Sequence, residues 1–200
     1  MKKPTLLILS MIIMTSISFA GGYKINDEAI DFSLKNIDGK PVSLKDFSSA
    51  KGYIVIFTCN HCPFSVAYED RIIALNNKYS PLGYPVIAIN PNDSERQPLD
   101  SYEEMIVRAR EKAFTFPYLH DVNQEIAATY GATRTPHVYV LKNENGKKKV
   151  KYIGAIDNNS DDASMATSKF VEQAVDALLA DKKVEVTETK AIGCTIKWKQ

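Results

Sequence analysis

The pattern of hydrophobic and polar residues predicts a chain in which strands alternate with helices. Residues 29–44 (AIDFSLKNIDGKPVSL) hold two alternating apolar–polar stretches around Asp38 and Gly39, which predicts a β-hairpin. Residues 53–58 (YIVIFT) and 85–90 (PVIAIN) are short continuous apolar runs. Such runs are typical of strands that are covered on both faces.

Helices are predicted where apolar residues recur every three or four positions. After the first buried strand, four such residues share one helical face: Tyr68, Ile72, Leu75 and Tyr79. Asp100 or Ser101 is a candidate N-cap for a second helix that runs to about Ala113. Shorter helices are predicted at about residues 123–130 and 171–178.

The order of these elements predicts a single α/β domain. An early strand–helix–strand segment is followed by an antiparallel pair, residues 137–142 (HVYVLK) and 149–155 (KVKYIGA), and by a closing helix. This order favours a central mixed sheet flanked by helices. We expect the domain to cover residues 24–184, with residues 185–200 as a C-terminal tail.

The first twenty residues have the features of a secretory signal peptide. Two lysines follow Met1, an apolar run covers residues 6–14, and Ser-Phe-Ala precedes Gly21. The apolar run is shorter than the ~20 residues that span a bilayer, which disfavours the alternative of a permanent membrane anchor. We therefore expect a periplasmic or secreted protein with no stable membrane anchor after signal cleavage.

Composition and charge narrow the range of functions. The chain has 200 residues, 44% of them hydrophobic and 24% charged, which is typical of a soluble globular protein. Its formal net charge is +1 and it has no block of basic residues. This charge distribution argues against nucleic acid as a partner.

The stretch FTCNHCPF (residues 57–64) carries the candidate chemistry, because Cys59 and Cys62 flank His61. Such a pair suits an exchanging disulfide, half of a metal site or a peroxide-reducing cysteine. Disulfides persist outside the cytoplasm, which favours the first reading. At a strand-to-helix turn, the helix dipole and His61 are expected to lower the pKa of an exposed Cys59. Cys59 would then attack a substrate disulfide, and Cys62 would resolve the mixed disulfide.

Several stretches resemble the thioredoxin superfamily. CNHCP after a buried strand is similar to its active-site turn, and YGATRTPHVYVL (residues 130–141) is similar to its helix end, cis-proline and following strand. DFSLKNIDGKPVSLKDF, FPYLHDVNQEIAATYGA and the tail KAIGCTIKW resemble the redoxin (AhpC/TSA-like) branch, in particular the peroxiredoxin-like group with a thioredoxin-type CxxC motif. The resemblance covers residues 29–198.

The resemblance implies a thioredoxin-like three-layer fold with an N-terminal hairpin and an inserted helix. It also implies that Thr135–Pro136 is a cis peptide bond that faces the cysteines and shapes a substrate groove. Arg134 directly precedes this pair. It could bind substrate, since it would lie near the thiolate or a substrate carboxylate; a solvated arginine on the surface is an equal alternative.

Two departures from the family pattern bear on the chemistry. Thioredoxins place a buried carboxylate in the strand before the cysteines as a proton acceptor. This chain has none there, so the proton relay is either absent or supplied by another group such as Glu69 or His61. Peroxiredoxins have a threonine three residues before the reactive cysteine and a proline seven before it. Relative to Cys62 these positions hold Cys59 and Val55, which disfavours peroxidase chemistry of that type.

Cys194 is the third cysteine, and two roles are open for it. The tail could fold back so that Cys194 becomes a third redox cysteine at the active site, or Cys194 could be a buried free thiol beneath Trp198.

The sequence therefore predicts an extracytoplasmic thiol–disulfide oxidoreductase that uses a CxxC pair and needs no cofactor or metal. Its partners would be protein or small-molecule thiols and disulfides, together with an unidentified redox partner. Two alternatives remain open: a thiol peroxidase, and a thioredoxin-fold protein that binds or delivers copper. The candidate metal ligands would be Cys59, Cys62, His61 and His137.

Overall fold

The computed structural model describes residues 21–200, so the predicted signal peptide lies outside the described residues. Ten strands occur in this part of the chain: β1 (Glu28–Ala29), β2 (Ser33–Asn36), β3 (Pro41–Ser43), β4 (Gly52–Phe57), β5 (Val86–Asn90), β6 (Tyr118–His120), β7 (Arg134–Thr135), β8 (His137–Glu144), β9 (Lys147–Gly154) and β10 (Cys194–Thr195). Four α-helices accompany them: α1 (Pro63–Tyr79), α2 (Tyr102–Glu111), α3 (Glu125–Tyr130) and α4 (Phe170–Leu179).

Eight of the strands form one mixed sheet in the order β1-β9-β8-β4-β5-β6-β2-β3. At its centre β4 runs parallel to β5, with Ile54 opposite Val86, and antiparallel to β8, with Ile54 opposite Val140. Every residue of β4 and β5 is buried, which explains why both strands read as continuous apolar runs. The predicted mixed sheet is confirmed.

A hydrophobic core lies on each face of the sheet. The apolar face of α1, including Tyr68 and Ile72, packs in one core with residues of α2 and α4. Residues of α3 such as Ala127 pack in the other core, against the opposite face of β4 and β5. This arrangement of helices on both faces confirms the α/β thioredoxin-like fold expected from the sequence.

The predicted hairpin and the inserted helix are both present. In the hairpin β2 pairs with β3, and Asp38 accepts hydrogen bonds from the Asn36 side chain and the Lys40 amide. The inserted helix is α2, and Ser101 is its N-cap because its hydroxyl accepts from the Glu104 amide at 3.4 Å. Asp100 is therefore not the cap of this helix.

The tail, residues 185–200, folds back over the domain. Its strand β10 pairs antiparallel with β7 and forms a separate two-stranded sheet, in which Cys194 is opposite Thr135 and Thr195 is opposite Arg134. Among residues 21–200, none of the helices is long and apolar enough to cross a membrane.

Candidate active site

All three cysteines of the chain meet at the start of α1. Cys62 forms a disulfide with Cys194, 132 residues away in sequence, with 6.1 Å between their Cα atoms. Cys59 is a free thiol with only 3% of its surface exposed. Cys62 is the N-cap of α1, and Pro63 follows it in the first turn, where a missing N–H leaves no helical hydrogen bond unmade.

The Thr135–Pro136 peptide bond is cis, as the resemblance implied, and it faces the cysteines. The Thr135 hydroxyl lies 3.2 Å from the Cys59 sulfur, and the Thr135 carbonyl oxygen lies 3.3 Å from the Cys62 sulfur. A single residue therefore contacts both the free thiol and the disulfide.

The pairing of the tail with β7 leaves no room for a side chain at residue 193. A Cβ atom added to Gly193 would collide with the carbonyl group of Thr135. Arg134 donates a hydrogen bond from Nη1 to the Gly193 carbonyl oxygen at 2.8 Å. Arg134, expected from the resemblance to contact a substrate, is thus bound to the chain's own tail in this structure.

A second set of hydrogen bonds holds the end of the tail. The Lys197 amide donates to Asn92 Oδ1 at 2.9 Å, and the Lys197 carbonyl accepts from Gln124 Nε2 at 2.8 Å. Arg96 donates to the Trp198 carbonyl oxygen at 2.8 Å. The tail is therefore fixed by polar contacts on both sides of the disulfide.

Asp100 is a fully buried carboxylate that binds the turn between the cysteines. One oxygen accepts from the backbone amides of Asn60 at 2.8 Å and His61 at 3.3 Å. The other accepts from Asn92 Nδ2 at 2.6 Å and lies 2.7 Å from His61 Nδ1. Charge-assisted hydrogen bonds of this kind are stronger than neutral ones, so Asp100 fixes the conformation of the turn.

His61 is held between two partners. Its Nδ1 faces Asp100 Oδ2, and its Nε2 lies 2.8 Å from the Gln97 side-chain nitrogen. No hydrogen bond joins His61 to Cys59 among the described residues. The imidazole is thus directed at the Asp100 carboxylate rather than at the free thiol.

The surroundings of Cys59 raise the pKa of its thiol. Burial is the largest cause, and the negative charge of Asp100 raises the pKa further. Hydrogen bonds of the Cys59 sulfur with the Thr135 hydroxyl, the Cys62 amide and the Ser65 hydroxyl act in the opposite direction without cancelling these effects. The expectation of an exposed Cys59 with a lowered pKa is therefore wrong for this state, because Cys59 is buried and Cys62 occupies the helix N-terminus.

The buried carboxylate of the site does not come from the residue expected to supply it. Glu69 lines a small cavity with Cys59 and Asn60, but it accepts hydrogen bonds from Arg108 at 2.6 and 2.7 Å and pairs with Lys112 at 3.5 Å, so two cations balance its charge. Asp100 lies at the turn instead. The sequence offered no signal for this contact, because Asp100 is about forty residues from the cysteines and resembled a helix cap.

The expected set of metal ligands is not assembled as predicted. His137 is buried, accepts from the Thr133 amide and packs on the ring of Tyr139, while Cys62 is bound in the disulfide. In residues 21–200 the structure instead brings together Cys59, His61 and Asp100, whose potential ligand atoms lie within 4.8 Å of one another. The described site thus offers one sulfur, one nitrogen and one oxygen ligand.

The fold and the three-cysteine site define a protein with a thioredoxin-like redox fold. The chain belongs to the AhpC/TSA family, which matches residues 25–153. No curated protein matches the chain.

Solved structures show the same fold over most of the chain. Hypothetical protein SMc02350 from Sinorhizobium meliloti 1021 is 30% identical over 90% of this chain and 97% of its own, with a TM-score of 0.82. An uncharacterized conserved protein from Geobacillus kaustophilus is 37% identical over 88% of this chain and 93% of its own, with a TM-score of 0.81. A thiol:disulfide interchange protein, a thioredoxin family protein from Chlorobium tepidum TLS, is 19% identical over 66% of this chain and 87% of its own, with a TM-score of 0.53.

Proposed function

We propose that this protein is a thiol–disulfide oxidoreductase that works outside the cytoplasm. The observation that carries the proposal is the free thiol of Cys59 beside the Cys62–Cys194 disulfide, with the cis peptide of Thr135 and Pro136 against both. A thiol close to a disulfide is the minimum arrangement for thiol–disulfide exchange.

In the proposed cycle, the reduced protein takes up one disulfide from the substrate and transfers it by thiol–disulfide exchange from Cys59 to the Cys62–Cys194 pair. The Cys59 thiolate attacks a substrate disulfide, forms a mixed disulfide and releases one substrate thiol. Cys62 then attacks the Cys59 sulfur and releases the second substrate thiol, which leaves a Cys59–Cys62 disulfide. Cys194 attacks the Cys62 sulfur and releases Cys59 as a thiol. Two electrons and two protons pass to the substrate, and a redox partner returns them to the Cys62–Cys194 disulfide.

The last step of this cycle ends in the arrangement that the structure contains, with Cys62 bound to Cys194 and Cys59 free. The same fold occurs in a thiol:disulfide interchange protein, so the chemistry is compatible with this scaffold. The substrates would be thiols and disulfides of proteins or small molecules.

Trapping of mixed disulfides tests the proposed order of attack. In a Cys62→Ser, Cys194→Ser protein neither resolving thiol remains, so substrates should accumulate as covalent adducts on Cys59. The matched control is Cys59→Ser, Cys194→Ser, which keeps one thiol at Cys62 and should capture little. Non-reducing electrophoresis followed by peptide mapping identifies the sulfur that holds the substrate. Adducts mainly on Cys62 would reverse the roles, and none in either protein would contradict the proposal.

The location outside the cytoplasm is proposed because residues 1–20 have the features of a signal peptide. Protein recovered from the periplasm or medium should have the intact mass of a chain that begins at Gly21. A mass that retains residues 1–20 would support a membrane anchor instead.

A thiol peroxidase is a second candidate, because one observation favours it. If peroxide oxidised Cys62 to a sulfenic acid, attack by Cys194 would release water and give the Cys62–Cys194 disulfide that the structure contains. Membership of the AhpC/TSA family is compatible with this reaction. The rate of reaction of the reduced protein with hydrogen peroxide separates the two candidates.

Metal delivery has weaker support. Cys59, His61 and Asp100 could offer ligands, but the Asp100 oxygens and both ring nitrogens of His61 already have hydrogen-bond partners that an ion would displace. Titration of the reduced protein with copper(I) or zinc, compared with the Cys59→Ser variant, tests this alternative.

A further inference from the structure

One side-chain amide joins the tail to the buried carboxylate of the cysteine turn. Asn92 accepts from the Lys197 amide through Oδ1 at 2.9 Å and donates to Asp100 Oδ2 through Nδ2 at 2.6 Å. Asn92 is itself buried, and its backbone amide donates to Asn90 Oδ1. The tail and the turn therefore share one rigidly held group.

Asp100 connects Asn92 to several groups of the cysteine turn. The oxygen that accepts from Asn92 is the same one that faces His61 Nδ1, and the second oxygen holds the amides of Asn60 and His61. A shift of Asn92 would thus change a hydrogen bond to the atom that orients the imidazole. The turn lies between Cys59 and Cys62, whose disulfide partner Cys194 is on the same tail.

We propose that Asn92 and Asp100 are positioning residues that couple docking of the tail to the conformation of the cysteine turn. When Lys197 is docked, Asn92 is fixed by the tail on one side and holds Asp100 on the other. When reduction of the Cys62–Cys194 disulfide releases the tail, Asn92 loses the Lys197 donor and Asp100 loses a fixed partner. By linkage, the turn conformation that Asp100 holds favours docking of the tail by the same free energy as docking of the tail favours that conformation.

The stability of the tail disulfide measures this coupling. Glutathione disulfide oxidises the thiols of Cys62 and Cys194 to the tail disulfide and yields two molecules of glutathione, so the equilibrium constant of this formation reaction reports how firmly the tail is docked. This measurement needs no activity on any substrate, so it holds even if the proposed oxidoreductase function fails. The comparison uses the full chain without residues 1–20.

Two substitutions interrupt the connection from opposite ends. In Asp100→Asn, one of the two accepting oxygens becomes an NH2 group. This group must face either the two backbone amides of the turn or the side chains of His61 and Asn92, so a hydrogen-bond donor is placed against another donor. Asn92→Ala removes both the acceptor for Lys197 and the donor for Asp100. Each substitution should lower the equilibrium constant for the tail disulfide about five- to tenfold, the range expected for loss of one buried hydrogen bond.

The double variant distinguishes coupling from two independent losses. If Asn92 transmits the effect, Asp100→Asn combined with Asn92→Ala should weaken the disulfide no more than the stronger single variant does. Arg96→Ala is the matched control, because Arg96 holds the tail at Trp198 without contacting Asp100. Its effect should multiply with that of Asp100→Asn. Two results would overturn the proposal. One is that the fold-changes of Asp100→Asn and Asn92→Ala also multiply in their double variant; the other is that Asp100→Asn alone leaves the equilibrium constant within twofold of the wild-type value.

A spectroscopic measurement separates positioning from general stability. The ¹⁵N chemical shift of His61 Nδ1 should change when the tail disulfide of the wild-type protein is reduced, and the change should disappear in Asn92→Ala. If Asn92→Ala does not fold, Asn92→Leu serves instead, because a side chain of similar size fills the space and makes neither hydrogen bond. A His61 shift that responds to reduction equally in the wild-type and variant proteins would contradict the coupling.

Discussion

Cys62 is joined to Cys194 rather than to Cys59, its neighbour in the CxxC motif. The disulfide attaches the tail to the first turn of α1, next to the cis peptide of Thr135. As a result, the oxidised chain holds a disulfide and a buried thiol side by side. Access to Cys59 and docking of the tail must therefore be considered together.

Gly193→Ala should weaken the tail disulfide. The new methyl group would overlap the Thr135 carbonyl and force β10 away from β7. Overpacking of this kind costs ~1–3 kcal/mol, so the equilibrium constant for forming the disulfide with glutathione disulfide should fall about 5- to 150-fold. The amount of each redox form can be measured by alkylation of the thiols and mass spectrometry.

The matched control for this change is Gly21→Ala, because a Cβ at Gly21 meets no atom within 4 Å. It should leave the equilibrium constant unchanged. If Gly193→Ala also leaves it unchanged, then the pairing of the tail with β7 does not contribute to the stability of the disulfide.

Stability of the oxidised protein should fall as the pH decreases from about 6.5 to 4. Burial lowers the pKa of His137 from 6.5 to about 4, with a smaller contribution from the positive charge of Arg134. In this window the unfolded chain binds a proton that the folded chain excludes, so acid favours unfolding. The difference in pKa corresponds to about 3 kcal/mol of unfolding free energy by pH 4.

Denaturant unfolding of wild type and His137→Gln at several pH values measures this contribution. The variant lacks the titrating ring, so its unfolding free energy should decrease less between pH 6.5 and 4. An identical decrease in both proteins would show that other groups are responsible.

Much of the fold could be predicted from the sequence because local patterns determine it. The buried runs of β4 and β5, the Asp38–Gly39 turn and the apolar face of α1 all reflect contacts that repeat at regular spacings. The cis peptide before Pro136 was expected only from the resemblance to a family.

The site could be predicted only in part because its contacts connect distant segments. Cys59, His61 and Cys62 stand together in the sequence, but Asp100 reaches them from about forty residues away and Cys194 from 132. No periodicity links such positions. Burial of Cys59, which reverses the expected direction of its pKa shift, also follows from tertiary packing.

Reaction of the reduced protein with hydrogen peroxide should be slow. The Cys62 sulfur lies 3.3 Å from the Thr135 carbonyl oxygen, an acceptor that cannot stabilise a thiolate by donating a hydrogen bond. The threonine and proline typical of peroxiredoxins are also replaced, by Cys59 and Val55. Stopped-flow measurement should give a rate no greater than that of free cysteine at the same pH. A fast rate that Cys62→Ser abolishes would favour the peroxidase.

Asp100→Asn should lower the pKa of Cys59. The Asp100 charge is the second cause, after burial, that raises the pKa of this thiol, and removing the charge removes its repulsion of the thiolate. The oxidised protein suits the measurement, because Cys62 and Cys194 are bonded and Cys59 is the single thiol in a chain with three cysteines. At a pH below the pKa, a larger fraction of thiolate should therefore form in the variant.

The rate of alkylation as a function of pH gives the pKa of Cys59 directly. Asp70→Asn is the control, because Asp70 is an exposed carboxylate on α1 and does not contribute to the pKa shift of Cys59. The maximal rate at high pH reports access to the sulfur and should be similar in all three proteins. A midpoint that is unchanged in Asp100→Asn would show that burial alone sets the pKa. A midpoint that rises would mean that Asp100 stabilises the thiolate through the turn it holds, which is the opposite of the electrostatic effect expected here.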